Sequence, residues 1–331
     1  MSKELKYRSV WMGLAIIWVV YYHLPHNFIT NPLFLKLQLF GYAGVDIFAY
    51  ASGIGCYYSL SKNSDTLPFI IRRLKRLLPS YWIFLVVWSI VQILKNHITA
   101  LSILGNFLGI QYFTFQGIAF NWYIGFLVIS YLIAPIAYAL IERADKSWKL
   151  LLIALLSIIF TLPWIGSASM LILISRLPLF IIGMINGKVE KSQLADKTNS
   201  YSLTKYSLCI LGIAMLYIVD RYWEGILWDY GVGWYVFILI VPGLCRGVSM
   251  LFASAEKNLR KNVSIPLARI GEMSFELFMT HLLMIDIQDY LVAQGLIENL
   301  VAYRLVGIVM AFLSAYALKI SNDKIMNILK K

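Results

Sequence analysis

Apolar residues come along this chain in runs of about twenty, separated by short polar segments. A bilayer core is crossed by about 20 apolar residues in helical form. Helices are required because backbone polar groups find no water partner there. The pattern predicts ten membrane-spanning helices, at 9–24, 41–60, 78–95, 119–141, 149–166, 169–187, 203–219, 231–252, 270–289 and 299–318. Prolines within these runs, such as Pro135, Pro178 and Pro242, are compatible with membrane helices. Residues 98–113 are apolar but short and carry two glycines, Gly105 and Gly109, so they are expected as an interfacial or re-entrant piece. The longest polar stretch, 188–203, reads as a loop. No internal repeat or separate soluble domain is visible, so residues 1–331 form a single all-α integral-membrane domain in this reading.

Composition agrees: 60% of residues are hydrophobic and 14% charged, against about 25% charged in a typical soluble domain. The formal charge of +12 does not point to nucleic acid, because the cations sit in short loops between apolar runs. With alternating spans, 23 of the 29 Lys and Arg fall on the side of the N-terminus, three on the other side and three within spans. The positive-inside rule then places both termini in the cytoplasm. The first apolar run follows Lys3, Lys6 and Arg8, lacks a small-residue cleavage site and continues to His23, so it reads as a retained span. Cys56, Cys209 and Cys245 lie in apolar segments and suggest no disulfide framework.

Ionisable residues inside the spans are the candidates for chemistry, since lipid excludes them unless they are used or paired. His23 closes the first span and suits a general base; alternatively it belongs to an aromatic belt with Tyr21 and Tyr22. Asp46, near the same depth, suits either support of that imidazole or pairing with a buried arginine or a backbone group. Arg176 and Arg304 need an acid or a wet cavity. In RRLKRLLP, Arg73 and Arg76 share a helix face, which suits a phosphate clamp or a lipid-facing topogenic loop. Ser274 and His281 lie on nearly one face of a late span, where a helix-packing hydrogen bond competes with a role in a site. Asn121, Trp122 and Tyr123 open the fourth span where aromatic anchors are ordinary. There is no phosphate-binding G-x-x-x-x-G-K-[ST] loop, H-E-x-x-H pair or G-x-S-x-G elbow, and the four histidines and three cysteines show no zinc-ligand spacing. No metal is expected.

Several stretches, taken in order, resemble the membrane-bound acyltransferase type 3 family, which acylates sugars and other acceptors at bacterial surfaces. VWMGLAIIWVVYYH is similar to its first span, which ends in histidine. GYAGVDIFAYASG is similar to its G-x-x-G-V-x-x-F-x-x-x-S-G segment, and FIIRRLKRLLPSYW to its R-x-x-R-x-x-P run. NWYIGFLVISYLIAP resembles its tryptophan-led span and IGEMSFELFMTHLL its serine–histidine span. The chain departs from the pattern at Met12, where the family usually has Arg or Lys eleven residues before the histidine; Arg8 lies one turn earlier on roughly the same face.

The resemblance implies a multi-pass protein of the bacterial plasma (inner) membrane. Its donor would be cytoplasmic acyl-CoA, most commonly acetyl-CoA, with phosphates on Arg73, Arg76 and Arg72. His23 would act as base or transient acyl carrier, Asp46 would support it, and Arg176 would steady developing negative charge. Asn121, Trp122, Ser274 and His281 would contact substrate. The acceptor would be a sugar hydroxyl of a cell-surface or lipid-linked glycan, with polysaccharide-assembly proteins as further partners. The rival class is a transporter or flippase, which suits buried Arg, Asp and His but predicts two related halves with paired broken helices. The sequence shows no such symmetry. A structural membrane protein without catalysis is the third class.

Overall fold

The computed structural model describes residues 3–25, 31–95, 98–109, 111–114, 121–165, 168–192, 199–222, 232–298 and 300–328. Among them there are helices and no strands. The main helices are α1 (Arg8–Tyr22), α2 (Pro32–Leu39), α3 (Gly44–Leu60), α4 (Thr66–Leu94), α5 (Ala100–Phe107), α6 (Asn121–Arg143), α7 (Ser147–Ile159), α8 (Ala168–Ile174), α9 (Leu177–Lys191), α10 (Asn199–Tyr222), α11 (Val232–Leu259), α12 (Ile265–Glu272), α13 (Ser274–Ala293) and α14 (Val301–Ile328).

Helix occurs at all ten expected places, and eight helical segments are long and apolar enough to cross a membrane. Of the other two places, α1 is shorter, at 15 residues, and α13 carries Glu276, Asp286 and Asp289. The bounds differ from expectation where polar chain continues a helix. α4 begins at Thr66, so the whole basic run is helical and continuous with the span; α14 runs on to Ile328.

The span expected at 169–187 is two helices, α8 and α9, parted at Ser175–Arg176. Pro178 has no N–H to give the Ile174 carbonyl, and its ring crowds the preceding turn. The Arg176 guanidinium meets part of the cost, since Nη1 donates to the Ile172 carbonyl at 2.9 Å. The span expected at 270–289 likewise begins after a break at Met273, with α12 as a separate short helix before it. Residues 98–109 turn back along α4: Tyr81 Oη donates to the Asn106 carbonyl at 2.7 Å and Trp82 Nε1 to the Phe107 carbonyl at 3.3 Å. Those contacts lie about 20 Å back from the end of α4, at 1.5 Å per residue.

α3 and the α8–α9 pair form the centre, with 78% of each apolar window buried, whereas α7 is peripheral with 6%. Leu94, Ile210 and Leu313 are exposed, as suits a protein whose solvent is hydrocarbon. Small residues let the central backbones meet. A Cβ on Gly53 would stand 2.0 Å from the Phe180 carbonyl oxygen, and one on Gly183 would stand 2.2 Å from that of Tyr50. Gly13 and Gly271 make the same mutual notch between α1 and α12. Gly183→Leu is therefore expected to force α3 and α9 apart, costing at least about 2–3 kcal/mol. A thermal melt of the detergent-solubilised protein would read this as a lower Tm and a smaller monodisperse fraction.

Contacts sort the loops into two ends, as alternation requires. At one, Lys6 pairs with Glu256 at 2.8 Å and Lys191 Nζ donates to the Ser61 carbonyl at 3.4 Å. At the other, Lys36 pairs with Asp220 (2.7 Å), Lys95 with Asp286 (2.7 Å) and Arg304 with Asp289 (2.6 Å). The basic end is the one the charge count assigns to the cytoplasm.

Candidate active site

At the basic end, α1, α3, α4, α6, α12, α13 and α14 enclose a cavity of about 450 Å³. Arg8, Arg73 and Arg76 line it. Two are fixed by backbone carbonyls one turn apart on α3: Arg8 Nε donates to Ala51 O at 2.9 Å and Arg73 Nη2 to Gly55 O at 2.6 Å. Gly55 leaves room for this, since a Cβ there would stand 3.3 Å from Arg8 Nη2. Arg73 also lies over the rings of Phe69 (5.3 Å) and Tyr131 (5.9 Å). Among the described residues none of the three arginines is ion-paired. Of the three acids in the wall, Asp323 pairs with Lys319 and Glu276 accepts from the Ser80 hydroxyl at 2.8 Å, while Glu272 lies on α12. Three guanidinium groups lining one cavity, with no ion pair among the described residues, make a site for a polyanion such as phosphate. Arg72, expected beside them, is exposed and does not line the cavity.

His23 stands at the C-terminal end of α1, which stops there because Pro25 disfavours helix at Leu24. Its Nδ1 lies 2.8 Å from the Val19 carbonyl, and a carbonyl only accepts, so Nδ1 carries the proton and Nε2 the lone pair. The neighbour of this imidazole is His281, whose Nε2 is 3.3 Å from His23 Nδ1. The Tyr22 and His23 rings meet nearly at right angles, their centroids 4.9 Å apart.

Asp46 takes the other of its two sequence readings: it pairs with a buried arginine. Arg176 Nε is 3.5 Å from Asp46 Oδ1, and both side chains are almost wholly buried. The guanidinium lies between Trp122 (5.5 Å) and Trp234 (4.7 Å). Both Asp46 oxygens and Arg176 Nε lack a hydrogen bond among the described residues. Buried charges are ordinarily completed by hydrogen-bond partners, so this pair has capacity for hydroxyl groups.

Between the cavity and the histidines lies an aromatic layer. The cavity wall on α1 reaches Met12, eleven residues or about 16 Å short of His23. Phe48 and Tyr123 form the end of the cavity, with rings 6.2 Å apart. Tyr123 packs on Phe278 at 4.7 Å, and Phe278 on His281 at 5.8 Å.

The structure thus gathers Arg73 and Arg76 at the cavity, Asp46, Arg176 and Trp122 in a second cluster, and His23 with His281 in a third. Ser274 lines the arginine cavity and not the histidine end. The Asn121 side chain lies outside the described residues. Trp234 and the His23–His281 contact escape a sequence reading, because the contact joins residues 258 apart and Trp234 carries no motif. The position of Arg8 was legible as a cation one turn from Met12; its seat against α3 was not.

A family model described as an acyltransferase domain, that of acyltransferase type 3, matches residues 11–320. No curated protein and no solved structure matches the chain significantly.

Proposed function

Because the chain belongs to the acyltransferase type 3 family, we propose that it moves an acyl group, acetyl in the first instance, from cytoplasmic acyl-CoA to a sugar hydroxyl of a cell-surface or lipid-linked glycan. The observation that carries the donor half is the cavity lined by Arg8, Arg73 and Arg76 at the basic end, none of them ion-paired among the described residues. Guanidinium forks match phosphate oxygens, and coenzyme A brings several. Arg8 supplies the cation that Met12 does not. The pantetheine arm is the part of the donor long enough to pass the Phe48–Tyr123–Phe278 layer, which parts as the arm enters.

The chemistry follows from the lone pair on His23 Nε2. That nitrogen takes the proton of the acceptor hydroxyl as its oxygen attacks the thioester carbonyl. The C–S bond breaks, and the thiolate of coenzyme A takes the proton from the imidazolium. Asp46 and Arg176 hold acceptor hydroxyls, with the faces of Trp122 and Trp234 packing on the sugar. In this reading Arg176 also steadies the developing negative charge, as a fixed cation in a dry site does strongly. The reading places the protein in the plasma membrane, in reach of polysaccharide-assembly proteins that present the glycan.

Base-labile acyl groups on the cell-surface glycan test the reading, measured in cells with the protein, without it, and with His23→Ala or Arg73→Ala at equal abundance. Acyl content is expected to fall in the deletion strain and to stay low with either variant. Equal acyl content in all four would overturn the assignment.

A further inference from the structure

We propose that His281 is a positioning residue that, together with the Val19 carbonyl, holds the reactive tautomer of His23 and stabilises its charged form, in the place where a carboxylate would be expected. The inference deepens the acyl-transfer reading and rests on it.

Two distances fix the protons of His281. Its Nδ1 lies 2.8 Å from the Leu277 carbonyl one turn back on α13, so Nδ1 is the N–H. In the neutral ring Nε2 then has a lone pair only, and this lone pair faces His23 Nδ1 at 3.3 Å. His23 Nδ1 is already protonated toward the Val19 carbonyl at 2.8 Å. One N–H is therefore shared between two acceptors, a three-centre arrangement. The opposite tautomer of His23 would set a Nδ1 lone pair against the Val19 oxygen and the His281 lone pair together. That repulsion excludes it, and Nε2 is left as the basic atom.

The same contact acts during the reaction. When His23 Nε2 takes the acceptor's proton, positive charge spreads over the ring and Nδ1–H becomes a stronger donor. Its two acceptors, Val19 O and His281 Nε2, then bind it more tightly. His281 is buried, and its helix is held by Thr280 Oγ1 donating to the Ala311 carbonyl at 2.9 Å, so the acceptor does not swing away. Asp46 is not available for this work, being 3.5 Å from Arg176.

The test compares His281→Phe and His281→Gln with His23→Gln, in membranes of the producing cells permeabilised and given acetyl-CoA labelled in the acetyl group, with base-labile label on the membrane glycan as the readout. Phenylalanine keeps ring volume and removes the acceptor; glutamine offers a side-chain oxygen that accepts from Nδ1–H. His281→Phe is expected to lower kcat about 10-fold to 100-fold with KM for acetyl-CoA unchanged, and His281→Gln to recover much of that loss. An unchanged KM also shows that the variant is folded. If His281→Phe keeps full kcat while His23→Gln is inactive, the positioning role is wrong and the acyl-transfer reading survives. If glutamine loses as much as phenylalanine, His281 contributes packing and not an acceptor. If His23→Gln is itself fully active, the reading beneath fails.

Discussion

Replacing His23 with glutamine is expected to lower kcat for acyl transfer by about 10²-fold to 10⁴-fold, the range a positioned general base supplies. Donor affinity should not change, because His23 stands about 16 Å along α1 beyond the last cavity-lining residue of that helix. Glutamine keeps a polar side chain at the end of α1 and does not burden folding there. Steady-state rates with saturating acetyl-CoA give kcat, and equilibrium binding of labelled acetyl-CoA gives affinity. A fall in both would place the histidine in donor binding instead. Full retention of kcat would remove it from the chemistry.

The second large effect belongs to the arginines. Hydrogen bonds to charged groups contribute about 1.5–3 kcal/mol each, so Arg73→Ala and Arg8→Ala should each raise KM for acyl-CoA by about 10-fold to 150-fold. At saturating donor kcat should approach the parent value, since neither side chain reaches the histidines. Arg8→Ala carries the more particular expectation: by the resemblance Met12 stands where the family usually has Arg or Lys, and Arg8, one turn earlier, is seated on the Ala51 carbonyl. A double variant Arg8→Ala/Met12→Arg should therefore recover part of the lost affinity. Lys75, exposed and outside the cavity wall, serves as a charge control, and Lys75→Ala should leave KM for the donor near the parent value. The effects should weaken as salt rises, as attraction between exposed charges does.

Much of the fold was legible because one signal dominates it. Runs of about twenty apolar residues have few structural options in lipid, and helix is found at each expected place. The break at Ser175–Arg176 was not legible, because Pro178 is tolerated within many membrane helices and nothing local marks which proline divides one. What repairs this break is Arg176 itself, a residue singled out for its charge and not for its carbonyl partner. The seam at Met273 has only Gly271 near it, a glycine that the close contact of α12 with α1 already accounts for.

The candidate site was legible as a set of unusual residues and not as an arrangement. Arg73, Arg76, His23, Asp46 and Arg176 stand out because lipid penalises them or because they crowd together. Their partners are set by packing of helices far apart in sequence. By sequence Asp46 suits His23 as well as a buried arginine or a backbone group, and only the approach of α9 to α3, through Gly53 and Gly183, gives it Arg176. His281 looked like a helix-packing group, and it does pack; its contact with His23 depends on how α13 lies against α1. The aromatic layer was hidden because Phe48, Tyr123 and Phe278 look like ordinary core or interface residues.

The sidedness of the reaction is the point on which the rest depends, and sealed membrane vesicles of the two orientations test it most directly. Both are given acetyl-CoA labelled in the acetyl group, and glycan-bound label is counted. If the Arg8–Arg73–Arg76 cavity opens to the cytoplasm, inside-out vesicles should incorporate label; intact right-side-out vesicles should do so only after permeabilisation, and Arg73→Ala should depress incorporation at limiting donor. Equal labelling of intact vesicles in both orientations would contradict a donor site at the cytoplasmic end of the bundle.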